Sequence, residues 1–147
     1  MTAMQRDIDR PRAAGDRAGA TILIRVLMWP VLGLLITGGF HFTIEAIWPD
    51  LRTFFVPAAL APLLLGYGTW AGYRTIRAGG SYLTAIVAGV VLGLLPLALE
   101  AVGFGIVLDR GVQNGLLAGI FGFSMILFGA LAGAGFVLSG HGADADR

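Results

Sequence analysis

The chain has no cysteine. Thiol catalysis, disulfides and cysteine-ligated metals are therefore excluded. It has no lysine either, since all ten basic residues are arginine. A phosphate-binding loop ending in G-K-[ST] is thus absent, and neither H-E-x-x-H nor G-x-S-x-G occurs. Only two histidines are present, and His141 lies in the C-terminal tail, so a histidine-rich metal site cannot be built. These absences argue against an enzyme, and no cofactor is expected. Charge is scarce as well. Charged residues make up 13% of the chain, against about 25% in an ordinary soluble domain. The formal net charge of +1 gives no reason to expect nucleic acid as a partner.

What is present is apolar. Hydrophobic residues make up 56% of 147 residues, and the mean hydropathy is +0.81. A small soluble domain leaves too much surface exposed to hide that many apolar side chains. The expected solvent for most of the chain is lipid. Basic residues that are all arginine, with abundant alanine and glycine, read as a GC-rich bacterial genome. The expected location is the inner membrane of a bacterium.

Residues 1–20 mix charges of both signs with Pro11 and small residues. They offer nothing to bury, so a disordered cytoplasmic tail is expected there. The acidic residues Asp7, Asp9 and Asp16 argue against a signal or transit peptide. A transmembrane domain is expected over 21–139. It has four apolar runs, 22–47, 54–73, 82–108 and 113–138, followed by a short tail at 140–147. Each run approaches or exceeds the roughly 20 residues that cross a bilayer. Without water to satisfy the backbone, only helices or closed barrels span lipid. Run length and the lack of period-2 alternation select helices. The expected fold is an all-α integral membrane protein, a four-transmembrane-helix bundle with glycine-rich packing. The breaks are Trp48–Arg52, Arg74–Ser81 and Asp109–Gly111, and Asp50 is placed to cap the second helix.

Arginine placement sets the expected orientation. With the N-terminus inside, the inner side holds Arg6, Arg10, Arg12, Arg17, Arg25, Arg74, Arg77 and Arg147. The outer side holds Arg52 and Arg110. This bias places both termini in the cytoplasm. The segment VLGLL occurs at 31–35 and again at 91–95, an echo weak enough to come from low complexity.

Glycine supplies 23 residues. Several fall four apart: Gly68 with Gly72, Gly89 with Gly93, Gly115 with Gly119, and Gly129 with Gly133. Small residues at that spacing let helix backbones approach in lipid, where burying apolar side chains supplies no net drive. They predict tight packing within the bundle or against a second copy. In the third helix Ala85, Gly89, Gly93, Pro96 and Glu100 share one face. The glutamate on that stripe is expected to point into protein.

Glu100 is the unusual residue. It lies about 6 Å from the centre of its helix. An ionised acid at that depth costs about 2.5–3.5 kcal/mol. Protonating a free glutamate at pH 7 costs about 3.7 kcal/mol. The figures are too close to choose a charge state, so the partner decides it. The first helix offers Thr37, His41 and Glu45, spaced i, i+4, i+8 on one face. His41 is expected near Glu100, about one turn further out, and Glu45 at the outer interface beside Trp48. A His–Glu pair at that depth could pass a proton or hold a cation. It could equally serve as interhelical polar glue.

Two functions follow. The first is a non-catalytic structural or accessory membrane component, since polar groups are sparse and glycine packing dominates. The alternative is a small proton- or cation-coupled transporter or channel using Glu100 with His41. The expected partners are the lipid bilayer and either a second copy or another membrane protein.

Overall fold

The computed structural model describes residues 3–48, 55–108 and 111–140. These residues are helical, with no strand among them. Four helices follow in order: α1 (Ala3–Ile47), α2 (Phe55–Arg77), α3 (Tyr82–Val102) and α4 (Val112–Leu138). A short π-helical segment, Gly103–Val107, continues α3. Three helical stretches are long and apolar enough to cross a membrane: Gly19–Ile47, Tyr82–Val102 and Val112–Leu138. Helix α2 has the length, with 23 residues. Its run of Gly66, Tyr67, Gly68 and Thr69, with Arg74 and Arg77 in the last turn, makes it less apolar.

Helix α1 differs from the sequence expectation. A disordered stretch was expected over 1–20, yet the helix reaches back to Ala3. Nucleation is the costly step in forming a helix. Once the apolar part of α1 is helical, the preceding residues only have to propagate it. Alanine, arginine, methionine and glutamine do so at little cost, whereas Pro11 and Gly15 in the same stretch oppose it by about 3 and about 1 kcal/mol. At 45 residues α1 is about 68 Å long, over twice the thickness of the hydrocarbon core. Asp50, Arg52 and His141 lie outside the described residues.

The turn between α2 and α3 is built locally. The Gly80 N–H donates to the Thr75 carbonyl (2.9 Å) and the Gly79 N–H to the Ile76 carbonyl (3.0 Å). This is the Schellman closure, and it places Gly79 at φ 85°, where a Cβ would be strained. Ser81 then starts α3 by accepting from the Thr84 N–H at 3.2 Å, a cap worth about 1 kcal/mol.

Packing pairs give the helix directions. Gly38 meets Leu99 and Gly103 meets Phe42, so α1 and α3 run parallel. Gly68 lies against the Ile126 carbonyl and Gly72 against the Ala130 carbonyl, so α2 and α4 also run parallel. Gly89 meets Ala130, Gly93 meets Phe123 and Gly119 meets Leu97, which sets α3 antiparallel to α4.

The α2–α4 contact is backbone on backbone. On the α4 side Gly129 faces the Leu65 carbonyl and Gly133 the Thr69 carbonyl. A side chain at any of these four glycines would occupy the space of the neighbouring helix. Gly115 is buried as well. The glycine pairs read from the sequence thus lie where helices meet. So does the α3 stripe, with Ala85, Gly89, Gly93 and Pro96 buried.

The interior is small and the exterior large. Ala71, Ala88, Ala130 and Ala134 are fully buried, whereas Ile24, Leu83, Phe128 and Val107 are more than half exposed. This arrangement suits lipid as the surrounding solvent, since lipid tails are as apolar as leucine.

Candidate functional site

Helix α1 is held differently from the other three. It meets α2 and α3 through side chains. The Tyr67 ring of α2 sits in the space left by Gly33. Its hydroxyl is 3.2 Å from the Thr37 hydroxyl. The Phe42 ring sits against Gly103, at the start of the π-helical segment. In that segment the Leu108 N–H donates to the Gly103 carbonyl, five residues back (2.9 Å). A π-turn is costly and recurs near functional sites. Here it ends α3 beside the glycine that receives the α1 ring.

Because α1 stands off the glycine-packed helices, a cleft of about 500 Å³ opens between it and α2, α3 and α4. That volume lies within the range of about 300–1,000 Å³ typical of small-molecule sites. Its walls are apolar: Leu34 from α1, Leu60 and Leu64 from α2, Leu99 from α3, and Phe121 from α4. Pro96 also lines it. Proline has no N–H, so the Leu92 carbonyl loses its ordinary helical donor there.

The polar groups converge on this cleft. His41 Nε2 and Glu100 Oε1 are 3.4 Å apart, with the two side chains 5% and 14% exposed. Thr37 and Glu45 line the same cleft, as does Asn114 from α4. Glu100 Oε2 is buried and makes no hydrogen bond to the described residues. Among the described residues, no arginine lines the cleft. The charged forms of this described lining are two carboxylates and one imidazolium. Among the described residues, no group of three or more His, Asp or Glu is arranged to hold a metal ion.

The four candidate residues from the sequence thus come together. His41 lies beside Glu100, their side chains 3.4 Å apart. Glu45 differs more. It was expected at the outer interface with Trp48, but Glu45 is 3% exposed while Trp48 is 56% exposed. The i+8 spacing from Thr37 keeps Glu45 on the cleft face, whereas Trp48 lies beyond the last helical residue. Ser124 turns back on its own helix and donates to the Ile120 carbonyl at 2.8 Å.

Sequence reasoning missed Tyr67 and Phe121, and it reads Asn114 as uninformative by itself. The signal was available as helical spacing. Leu60, Leu64 and Tyr67 fall at i, i+4, i+7, and Asn114, Ala118, Phe121 and Gly122 at i, i+4, i+7, i+8. Phe42 was missed as well, and no spacing marks it. Its partner Gly103 belongs to a helix irregularity that periodicity does not show.

Compared with known proteins, the chain matches no family model, no curated protein and no solved structure.

Proposed function

We propose that this chain is a small proton-coupled membrane carrier that takes a hydrophobic cation into the α1 cleft. The single observation that carries this reading is the cleft itself. An apolar cavity of about 500 Å³ has its ionisable groups, His41, Glu45 and Glu100, gathered on its wall. In a low-dielectric site a carboxylate is costly without a counter-charge. A proton or an organic cation can supply that charge. Each then excludes the other, which is the minimal logic of exchange. A hard metal cation is a poorer fit, since calcium takes six to eight oxygen ligands and magnesium six, many of them water.

Carrier function needs a bundle that crosses the bilayer. In the proposed arrangement all four helices span it, with both termini in the cytoplasm of a bacterium and the protein in its inner membrane. The arginine bias supports that orientation. The scaffold reading has the α2–α4 glycine interlock in its favour, but it gives the cleft no role.

The test uses purified protein in proteoliposomes with an imposed pH gradient and radiolabelled tetrapropylammonium. A quaternary ammonium cannot cross as a neutral amine, so uptake reports the protein. Uptake driven by the gradient and lost in Glu100→Gln, with the fold retained, is the expected result. Equal uptake by Glu100→Gln, or none by the wild type, would sink the reading.

A further inference from the structure

A second feature lies outside the cleft, where α1 and α2 face lipid. Two arginine–tryptophan pairs stand there in mirrored order. On α1, Arg25 precedes Trp29 by four residues, and on α2, Trp70 precedes Arg74 by four. Residues four apart share a helix face. Helices α1 and α2 are antiparallel, because α1 is parallel to α3, α2 is parallel to α4, and α3 and α4 are antiparallel. The mirrored order therefore puts both arginines at one end of the pair and both tryptophans a turn deeper.

Between the tryptophans runs a groove of about 480 Å³, lined by Trp29, Pro30, Pro62, Leu63, Tyr67 and Trp70. The prolines help explain the gap, since a pyrrolidine ring cannot reach across like a long side chain. The groove opens outward: Trp29 is 63% exposed and Trp70 38%. The Arg74 guanidinium lies 5.4 Å from the centre of the Trp70 ring. Arg25 is exposed.

The depths agree. Arg25 is about 33 Å along the helix from Ile47, and Arg74 about 28 Å from Phe55. Both values are close to the roughly 30 Å hydrocarbon thickness. The arginines therefore fall at one membrane interface, and the groove lies within the acyl region.

We propose that this groove holds one anionic phospholipid. An acyl chain lies in the proline–tryptophan trough, and the phosphate sits between Arg25 and Arg74. A zwitterionic lipid brings a positive amine to two guanidinium groups and binds less well. A free phosphate gains nothing from the trough. The bound lipid adds to the α1–α2 contact that Tyr67 makes in the Gly33 gap. This proposal rests on the groove and not on the carrier reading.

The test is lipid retention by the full chain. The protein in mixed micelles is offered phosphatidylglycerol and phosphatidylcholine with identical chains, and retained lipid is counted by native mass spectrometry. One phosphatidylglycerol should be retained in preference. An arginine near an anionic lipid surface is worth about fivefold, so Arg25→Gln with Arg74→Gln should lower the preference about thirtyfold. Arg77 is the internal control. It lies over Tyr73 instead, 5.8 Å from that ring, and Arg77→Gln should leave the preference unchanged. Equal loss from Arg77→Gln would mean diffuse headgroup attraction and would overturn the site. Equal retention of the two lipids by the wild type would overturn it without any variant. So would displacement of the retained lipid by millimolar inorganic phosphate.

Discussion

Gly133 and Gly135 lie two residues apart on α4 and face opposite ways. A Cβ added at Gly133 would fall inside contact distance of the Thr69 carbonyl and 2.9 Å from the Tyr73 nitrogen. One added at Gly135 would meet nothing within 4 Å. Both obstacles at Gly133 are backbone atoms, so no side chain can rotate out of the way. For Gly133→Ala, α2 and α4 must separate locally by on the order of 1 Å to restore contact at about 3.5 Å. Each atom pair along the contact forfeits part of its 0.1–0.2 kcal/mol or so. Overpacking of this kind costs about 1–3 kcal/mol. Gly135→Ala should be close to neutral, because in lipid the helix persists whether or not the bundle is assembled. The assay is reversible unfolding by SDS in mixed micelles, followed by tryptophan fluorescence. The Gly133→Ala midpoint should fall and the Gly135→Ala midpoint should stay. Equal losses in the two variants would refute close backbone packing as the source of stability.

Other outcomes follow from the α1 contacts. The Thr37–Tyr67 hydroxyl pair should show a coupling of about 0.6 kcal/mol in a double-mutant cycle with Thr37→Val and Tyr67→Phe, typical of interhelical hydrogen bonds in lipid. A coupling of zero would mean the 3.2 Å contact contributes nothing. Gly103→Ala should displace the Phe42 ring and lower the SDS midpoint, and adding Phe42→Ala should restore part of the loss; no recovery would contradict the ring-in-gap contact. The chain has no cysteine, so engineered pairs can be read cleanly. Gly38→Cys with Leu99→Cys should cross-link on oxidation, whereas Gly39→Cys with Leu99→Cys should not, since a Cβ at Gly39 meets nothing within 4 Å. For orientation, Ser81→Cys should react with an impermeant thiol reagent only from the cytoplasmic side and Gly111→Cys only from the other; the reverse pattern would invert the proposed topology.

Much of the bundle could be read from the sequence because lipid imposes few choices. A long apolar run must be helical, and small residues four apart mark where helices touch. That logic puts Ala85, Gly89, Gly93 and Pro96 on one face, and the structure buries that face. It also put Thr37, His41 and Glu45 on one stripe of α1. It did not show that α1 would stand off the other helices. That gap depends on the Tyr67 and Phe42 rings filling the spaces at Gly33 and Gly103, and neither contact has a periodic signature. Glu45 was misplaced for a related reason. Distance along the chain suggested an interface, while the i+8 spacing from Thr37 puts Glu45 on the cleft wall.

The central claim is that Glu100 changes its protonation inside the cleft. The most direct measurement is the infrared carboxyl band of the purified protein in lipid, followed with pH and compared with Glu100→Gln. The account predicts a protonated-carboxyl band that Glu100→Gln removes, whose intensity varies reversibly with pH in the wild type and responds differently in His41→Ala. A Glu100 band that keeps constant intensity at every pH would contradict it, and would make the acid a fixed hydrogen-bonding group between α1 and α3.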